Sequence, residues 1–311
     1  MNQFENDICG HFSKSYMAIF KYALNASKRY RRYTIPKRTT GKRVILQPSA
    51  ELKTYQSYLV SYIFEKFPCH DSVYSYQKNK NIKQMASLHL NAHFLLRIDF
   101  KDFFPSIKSQ HIRKFLNEKS FLLDNILSDN DITLINLLVC RNGNLTIGAP
   151  SSPMISNIIL YDLDEYLFSI CKEMGIVYTR YADDLYFSTS NPNILKNILS
   201  LLKTFLKTFF LDLLVNEDKN IYTSKKRRQQ VTGLILTNDG KISVGRDMKR
   251  YIKSLIFKYR NDQLEQSQIN YLRGYLSYLY SVEPEYIENL KNKYTPKLMQ
   301  ELFTLKQQCL F

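Results

Sequence analysis

Apolar positions along the 311-residue chain change period several times, and each change marks an expected element. Residues 17–28 keep helical spacing. Residues 31–37 and 42–47 read as two strands, joined at Arg38-Thr39-Thr40-Gly41 into a basic hairpin. Pro48 ends it, and Ser49 is placed to cap a helix through Leu52, Gln56, Leu59, Ile63 and Phe67. Phe94-Leu95-Leu96-Arg97-Ile98-Asp99 is a short apolar run ending in a carboxylate, as in a buried strand. From Pro153 onward, Ile155, Ile158, Ile159, Leu163 and Leu167 predict a helix. Residues 176–181 and 185–188 flank Ala182-Asp183-Asp184, a hairpin with acids at its tip. Residues 193–214 predict the next helix. The most apolar stretch, residues 194–215, is broken by Lys196, Lys203 and Lys207, so it reads as a core helix and not a membrane span. Residues 231–236 and 241–244 predict another hairpin around Asn238-Asp239-Gly240.

From about residue 245 the character changes. Met248, Tyr251, Ile252, Leu255, Ile256 and Tyr259 follow helical spacing, while Lys249, Arg250, Lys253 and Arg260 line the other face. Ile269, Leu272, Leu276 and Leu279 predict a second helix, and the region after Pro284 a third. Such a basic helical module either caps a core with a solvated face or meets a polyanion.

Charge bears on that choice. Lys and Arg total 44 against 28 Asp and Glu, a net charge of +16, which points to an anionic polymer as partner without saying which. The 23 Tyr and 19 Phe suit stacking on bases. Cys9, Cys69, Cys140, Cys171 and Cys309 are scattered and odd in number, with no paired spacing. That argues against a zinc site or disulfide framework and fits a reducing cytoplasm. The first residues are polar and mixed in charge, so no signal peptide is expected.

Asp183 and Asp184 grow from apolar flanks, and Asp99 ends a separate apolar strand. Carboxylates packed together repel, and burial penalises them further. Such a cluster is tolerated mainly where a hard cation neutralises it. Mg²⁺ accepts Asp oxygens and takes the rest of its octahedron from water and substrate phosphates. Two such ions about 4 Å apart activate an attacking hydroxyl and stabilise a leaving oxygen in an in-line displacement. The chemistry would be attack of a primer hydroxyl on a nucleotide, with pyrophosphate leaving.

At Tyr181-Ala182-Asp183-Asp184 the sequence resembles the reverse transcriptases. Further matches lie in the family's order: Asp99-Phe100-Lys101-Asp102-Phe103-Phe104-Pro105-Ser106-Ile107, then Gly148-Ala149-Pro150-Ser151-Ser152-Pro153, then Lys219. Within the family it looks most like the bacterial retron enzymes, through Val231-Thr232-Gly233 and through residues 43–48 followed by Leu52-Lys53. It departs from their pattern at Met85, where Asn-Ala-x-x-His is usual before the first aspartate, and at Ile147, where Gln is common.

The resemblance implies an α+β right-hand polymerase. Its expected parts are an N-terminal helix and fingers over residues 1–95, a palm of antiparallel strands over 96–240 with a fingers insertion at 108–150, and a helical basic thumb over 241–311. It implies that Asp99 and Asp183 ligate two Mg²⁺ ions, with Asp184 assisting. The backbone of Phe100, Lys101, Asp102 and Phe103 would face the triphosphate of a dNTP. Phe104 would clash with a ribose 2′-OH, Arg43 would grip the triphosphate, Ala149 would lie under the nucleotide, and Lys219 would give a proton to pyrophosphate. His89, Val231, Thr232, Gly233, Arg250, Tyr251, Lys253, Tyr271, Arg273, Tyr275 and Tyr278 are candidates for nucleic-acid contact. Retron enzymes copy a structured noncoding RNA from the 2′-OH of an internal guanosine. The product is a branched RNA–DNA hybrid, multicopy single-stranded DNA, which many hold with an effector protein encoded nearby in antiphage defence. The competing readings are an abortive-infection or diversity-generating reverse transcriptase, or a catalytically silent RNA-binding scaffold for a toxin. Intact Asp99, Asp183 and Asp184 argue against the last.

Overall fold

The basic segments form an antiparallel hairpin, β1 (Tyr30–Pro36) and β2 (Lys42–Pro48), with Tyr30 opposite Pro48 and Pro36 opposite Lys42. Ser49 caps the helix Ala50–Tyr62 as expected, its Oγ accepting from the Leu52 amide at 3.3 Å. That helix buries Leu52, Tyr55 and Leu59, and the buried Gln56 donates from Nε2 to the Leu138 carbonyl at 2.8 Å. The computed structural model describes residues 2–37, 41–123, 127–209 and 212–304. The expected hairpin tip at residues 38–40 and Cys309 lie outside the described residues.

Two compact units interleave along the chain. The first comprises Met1–Asn79, Leu96–Phe187 and Pro192–Ile221; the second comprises Lys80–Leu95, Ser188–Asn191 and Tyr222–Phe311.

The first unit holds most of β3 (Phe94–Lys101) and β5 (Asp184–Thr189) and all of β4 (Val177–Tyr181) and β6 (Leu214–Val215), in the order β4-β5-β3-β6. Ile98, Leu185 and Phe187 are fully buried on this sheet, each such side chain stabilising it by roughly 1.5–3 kcal/mol. β6 corrects the helix expected over residues 193–214. A short 3₁₀ turn, Ile194–Asn197, precedes the helix Ile198–Phe209, and Leu214 and Val215 then pair antiparallel with Lys101 and Phe100. A short apolar run fits helix and strand equally, and here the free edge of β3 decides the outcome. The helix expected from Pro153 is also two helices, Ser152–Ile159 and Tyr161–Glu173, broken at Leu160.

Between them and the hairpin runs a tight backbone contact. The Leu46 amide donates to the Ile147 carbonyl at 2.8 Å. Gly148 sits at φ +112°, and a Cβ there would lie 2.9 Å from the Leu46 carbonyl oxygen and 3.0 Å from Ile45 Cγ2. Both the backbone conformation and the space therefore require glycine.

The second unit contains most of β7 (Ile221–Ser224), then β8 (Gln229–Val231), β9 (Leu234–Leu236) and β10 (Ile242–Ser243), the last three ordered β10-β9-β8. The single strand expected over residues 231–236 is thus two. Thr232 at φ 48° and Gly233 at φ 90° form a two-residue turn with Val231 opposite Leu234. After Gly245 the described residues form four helices, Arg246–Arg260, Gln266–Val282, Pro284–Lys293 and Pro296–Thr304, one more than expected because Pro296 starts a new one. Ile252, Leu255, Leu272, Leu276 and Leu279 are the buried stripe. Among the described residues no helix is long and apolar enough to cross a membrane.

His89 follows the helix Ile82–Leu88 and is fully buried, its Nδ1 2.7 Å from Ser188 Oγ. Burial pushes its pKa down from 6.5 to about 3.

Two outcomes follow from this packing. Replacing Gly148 by Ala lowers unfolding stability by roughly 1–3 kcal/mol in urea titrations, and an unchanged midpoint would contradict the close approach. On His89 the unfolded chain gains a proton near pH 6.5, but the folded chain only near pH 3. Its contribution is therefore full above pH 6.5 and is lost as pH falls, by about 1.4 kcal/mol per unit. Unfolding at pH 7 and pH 5 should show a smaller loss for His89→Asn than for the wild type.

Candidate active site

Alternation along β3 sets Arg97, Asp99 and Lys101 on one face. The Phe100 amide donates to the Asp183 carbonyl at 3.1 Å, which seats the β4–β5 turn against β3 next to Asp99. Asp183, 84 positions after Asp99, is thereby close enough to feel its charge.

Each acid has a defined surrounding. Asp99 is buried, and its Oδ1 accepts from Lys219 Nζ at 2.9 Å and from Asn216 Nδ2 at 3.2 Å. The Asn216 amide also donates to the Asp99 carbonyl at 2.8 Å. Asp184 accepts from Arg97 through both oxygens, Nε to Oδ1 at 2.9 Å and Nη2 to Oδ2 at 3.1 Å. Burial pushes the Asp184 carboxyl up to about 6; Arg97 opposes the rise, while the charges of Asp183 and Asp99 add to it. Asp183 is also raised by burial; a hydrogen bond from its own backbone, Lys219 and Arg43 counter the rise, and Asp99 adds to it.

Hard carboxylate oxygens under mutual repulsion suit a divalent cation. Among the described residues, no three of His, Cys, Asp and Glu already stand together as a metal-holding group. Arg97 occupies both oxygens of Asp184, which leaves Asp99 and Asp183 as the better-placed donors. Two protein carboxylates fit Mg²⁺, which keeps water and takes phosphate oxygens for the rest.

The segment after Asp99 turns sharply. Asp102 has φ 47° and precedes the short helix Phe103–Ser106. Phe100 and Phe103 are buried and stacked with centroids 6.1 Å apart, so their side chains are core and only their backbone can face a ligand. Phe104 is half-buried, edge-on to Phe103 at 5.2 Å, while Lys101 and Asp102 are exposed. Ala149 is buried beside Gly148. Arg43 is exposed on β2, and the Tyr76 hydroxyl feels the charges of both Asp183 and Arg43.

In the second unit two assignments need correction. His89 and Val231 are fully buried and cannot touch a nucleic acid directly. Thr232 is half-buried and Gly233 exposed. On the helix Gln266–Val282, residues 271, 275 and 278 share a face. Tyr251 and Tyr271 lie 6.2 Å apart, Tyr271 and Tyr275 5.9 Å, and Tyr275 and Tyr278 5.4 Å, forming a continuous aromatic row. Arg250 is exposed, whereas Lys253 and Arg273 are half-buried.

Sequence reasoning missed Arg97, Asn216, Tyr76 and the groups beneath the turn, Ser75, Asn157, Asp164 and Arg180. Strand alternation could have exposed Arg97, two positions before Asp99. The others carry no local signal.

Residues 35–272 match the family described as reverse transcriptase (RNA-dependent DNA polymerase). Retron Ec83 reverse transcriptase of Escherichia coli is 39% identical over 274 residues, covering 85% of this chain and 86% of its own length. Retron Ec73 reverse transcriptase of Escherichia coli is 31% identical with the same coverage, 85% and 86%. Retron Mx162 reverse transcriptase of Myxococcus xanthus is 29% identical, covering 85% of this chain and 60% of its own. Among solved structures, apo telomerase from Candida tropicalis has a TM-score of 0.52 at 12% identity, covering 89% of this chain and 58% of that one. The same enzyme truncated from its C-terminal domain gives 0.50 at 14% identity, covering 69% and 54%. This chain spans little more than half the length of those telomerase chains, and the likeness shows the fold, which is that of a right-hand polymerase. With its acids on β3 and the neighbouring turn, the chain belongs to the reverse transcriptases and, among them, to the bacterial retron enzymes, which are RNA-directed DNA polymerases.

Proposed function

We propose that the chain copies a structured noncoding RNA into DNA at Asp99 and Asp183, from an internal 2′-OH, to make a branched RNA–DNA product. The observation that carries this reading is the Phe100–Asp183 hydrogen bond, which sets two raised-pKa acids next to Asp99.

Asp99 and Asp183 would hold two Mg²⁺ ions, with Asp184 held off by Arg97 and acting through its charge. When bound, these cations lower the pKa of an attacking hydroxyl and neutralise charge on the transferring phosphate. The primer oxygen attacks the α-phosphate of a dNTP, and pyrophosphate departs. Lys219, which now donates to Asp99, is the group that would release to a phosphate and give the leaving oxygen a proton. Arg43 on the hairpin would meet the triphosphate, and Phe104 would close the sugar pocket against a 2′-OH. Ala149, fixed by the Gly148 contact, would form the floor beneath the nucleotide.

In the second unit the aromatic row from Tyr251 to Tyr278, with Arg250, Lys253 and Arg273, would stack on bases and neutralise phosphates of the RNA. In this reading fingers, palm and thumb follow the borders 1–95, 96–240 and 241–311, with the fingers insertion at 108–150. The product and an effector encoded nearby would remain with the enzyme as an antiphage complex. Tight phosphate contacts from a chain of net charge +16 support retention.

The double variant Asp183→Asn, Asp184→Asn should lose Mg²⁺-dependent dNTP incorporation by on the order of 10³-fold or more while RNA binding persists. Sequencing of copurified nucleic acid should find DNA joined to RNA with the wild type and RNA alone with the variant. DNA on both would reject the assignment.

The acids also set a pH dependence. Because burial raises Asp184 from 3.8 to about 6, the folded chain holds more protons than the unfolded one in that window, and this stability is lost as pH rises through it. Protonation removes the negative charge of Asp184 beside the cations and competes directly with them at Asp183, which burial also raises, so Mg²⁺ should raise the melting temperature more at pH 7 than at pH 5. Equal shifts at both pH values would count against cation binding by these acids.

A further inference from the structure

Arg180 is the largest fully buried side chain among the described residues. A charge without solvent is costly, and an apolar residue would fill the space more cheaply. The position therefore calls for an explanation beyond packing.

Its guanidinium makes four contacts at once. Nε and Nη2 donate to the two oxygens of the buried Asp164 at 2.8 and 2.6 Å, and Nη1 donates to Asn157 Oδ1 at 3.3 Å and to the Ala182 carbonyl at 3.2 Å. Tyr178 also donates to Asp164, at 2.7 Å, so the acid is satisfied. Asn157 in turn donates from Nδ2 to the Ser75 carbonyl at 2.9 Å, and Ser75 Oγ accepts from the Ala182 amide at 2.8 Å. The ring is closed: Ala182 amide, Ser75, Asn157, Arg180, Ala182 carbonyl. The segment bearing Ser75 is itself fixed to β4, with the Arg180 amide donating to the Ser72 carbonyl and the Tyr74 amide to the Arg180 carbonyl, both at 2.9 Å.

What this ring grips is a strained residue. Ala182 has φ 55°, a conformation that side chains with a Cβ rarely adopt. Both its peptide groups are held from different elements, and the next residue is Asp183. A planar fork with fixed donor directions suits that task, because one group satisfies acceptors on three elements in one geometry. Asp164 balances the charge, so the contribution to the turn is geometric.

We propose that Arg180 and Ser75 are positioning residues that hold the Ala182–Asp183 turn in its left-handed form and so fix the angle at which Asp183 faces Asp99. The inference rests on the reading of Asp183 as a working acid.

The test uses the full chain with its RNA. Arg180→Lys keeps a cation for Asp164 but loses the fork to Ala182. Ser75→Ala removes the other grip and leaves the ion pair intact, so it serves if the first variant folds poorly. Tyr16→Phe, which loses a 2.8 Å hydrogen bond to the buried Asp131, removes one hydrogen bond in another network, as Ser75→Ala does in this one. Steady-state primer extension should show kcat down roughly ten- to a hundredfold in Arg180→Lys and Ser75→Ala. KM for dNTP should stay within about twofold, the pattern of a lost transition-state arrangement. Hydrogen exchange of the peptide covering residues 177–186 should quicken in both, without substrate or metal. Tyr16→Phe should move neither readout. If kcat and turn exchange in Ser75→Ala and Arg180→Lys change no more than in Tyr16→Phe, the ring is merely structural and the proposal falls. If Asp183→Asn is fully active, the reading of the acids fails instead, and turn exchange alone still decides whether the ring holds the turn.

Discussion

One backbone hydrogen bond, from the Phe100 amide to the Asp183 carbonyl, decides whether this molecule has a site at all. It belongs to the β5–β3 pairing, which brings the acid on β3 and those on the β4–β5 turn together. With it, Asp99 and Asp183 must share a poorly solvated spot, and Coulomb repulsion in a low-dielectric surrounding grows steeply. The neighbouring cations are the response: Arg97 on Asp184, Lys219 on Asp99. Because the bond is between backbone groups, it depends first on strand register. Ile98, Phe100, Leu185 and Phe187 are buried on these two strands and pack the sheet that carries the bond.

Part of the chain's backbone strain lies around that bond. Asp102 and Ala182 adopt positive φ on either side of it, and Gly148 does so where the pocket segment meets β2. Two of them are over-determined by their surroundings: Ala182 by Ser75 and Arg180, Gly148 by the Leu46–Ile147 contact. Residues in sparsely populated backbone regions cluster at such sites because the chain must present groups in a fixed direction. The cost, on the order of 1–3 kcal/mol each, is met by the buried sheet beneath.

Much of this was legible in the sequence, for a physical reason. The β3 run, the β4–β5 hairpin with its acids and the Ser49 cap are local patterns, set by period and by turn chemistry. What failed was non-local. Leu214 and Val215 are a strand because β3 has a free edge, which no window of sequence reveals. Thr232-Gly233 is a turn without the usual Asn or Asp. That residues 80–95 pack with residues 222–304 depends on contacts far apart in the chain. A motif carries no information on burial, so His89 and Val231 read as nucleic-acid contacts from sequence although both lie in the core. The Asp164–Arg180 pair was invisible for the same reason: an arginine in a strand reads as solvated until its partners are known.

The cations at the acids are of two kinds, and the difference orders the site. Arg97 grips Asp184 through two donors, and charge-assisted forks of this kind are strong and directional. Lys219 reaches the buried Asp99 with a single ammonium that is itself more than half exposed, at 56%, on a flexible stem without the directional fork of an arginine. The first therefore acts as a fixed part of the scaffold and the second as an exchangeable counter-charge. Asp184, with both oxygens engaged, shapes the field, whereas Asp99 can trade its ammonium for another cation at little cost. A site of this construction stays folded when no cation is bound, yet gives up little to receive one.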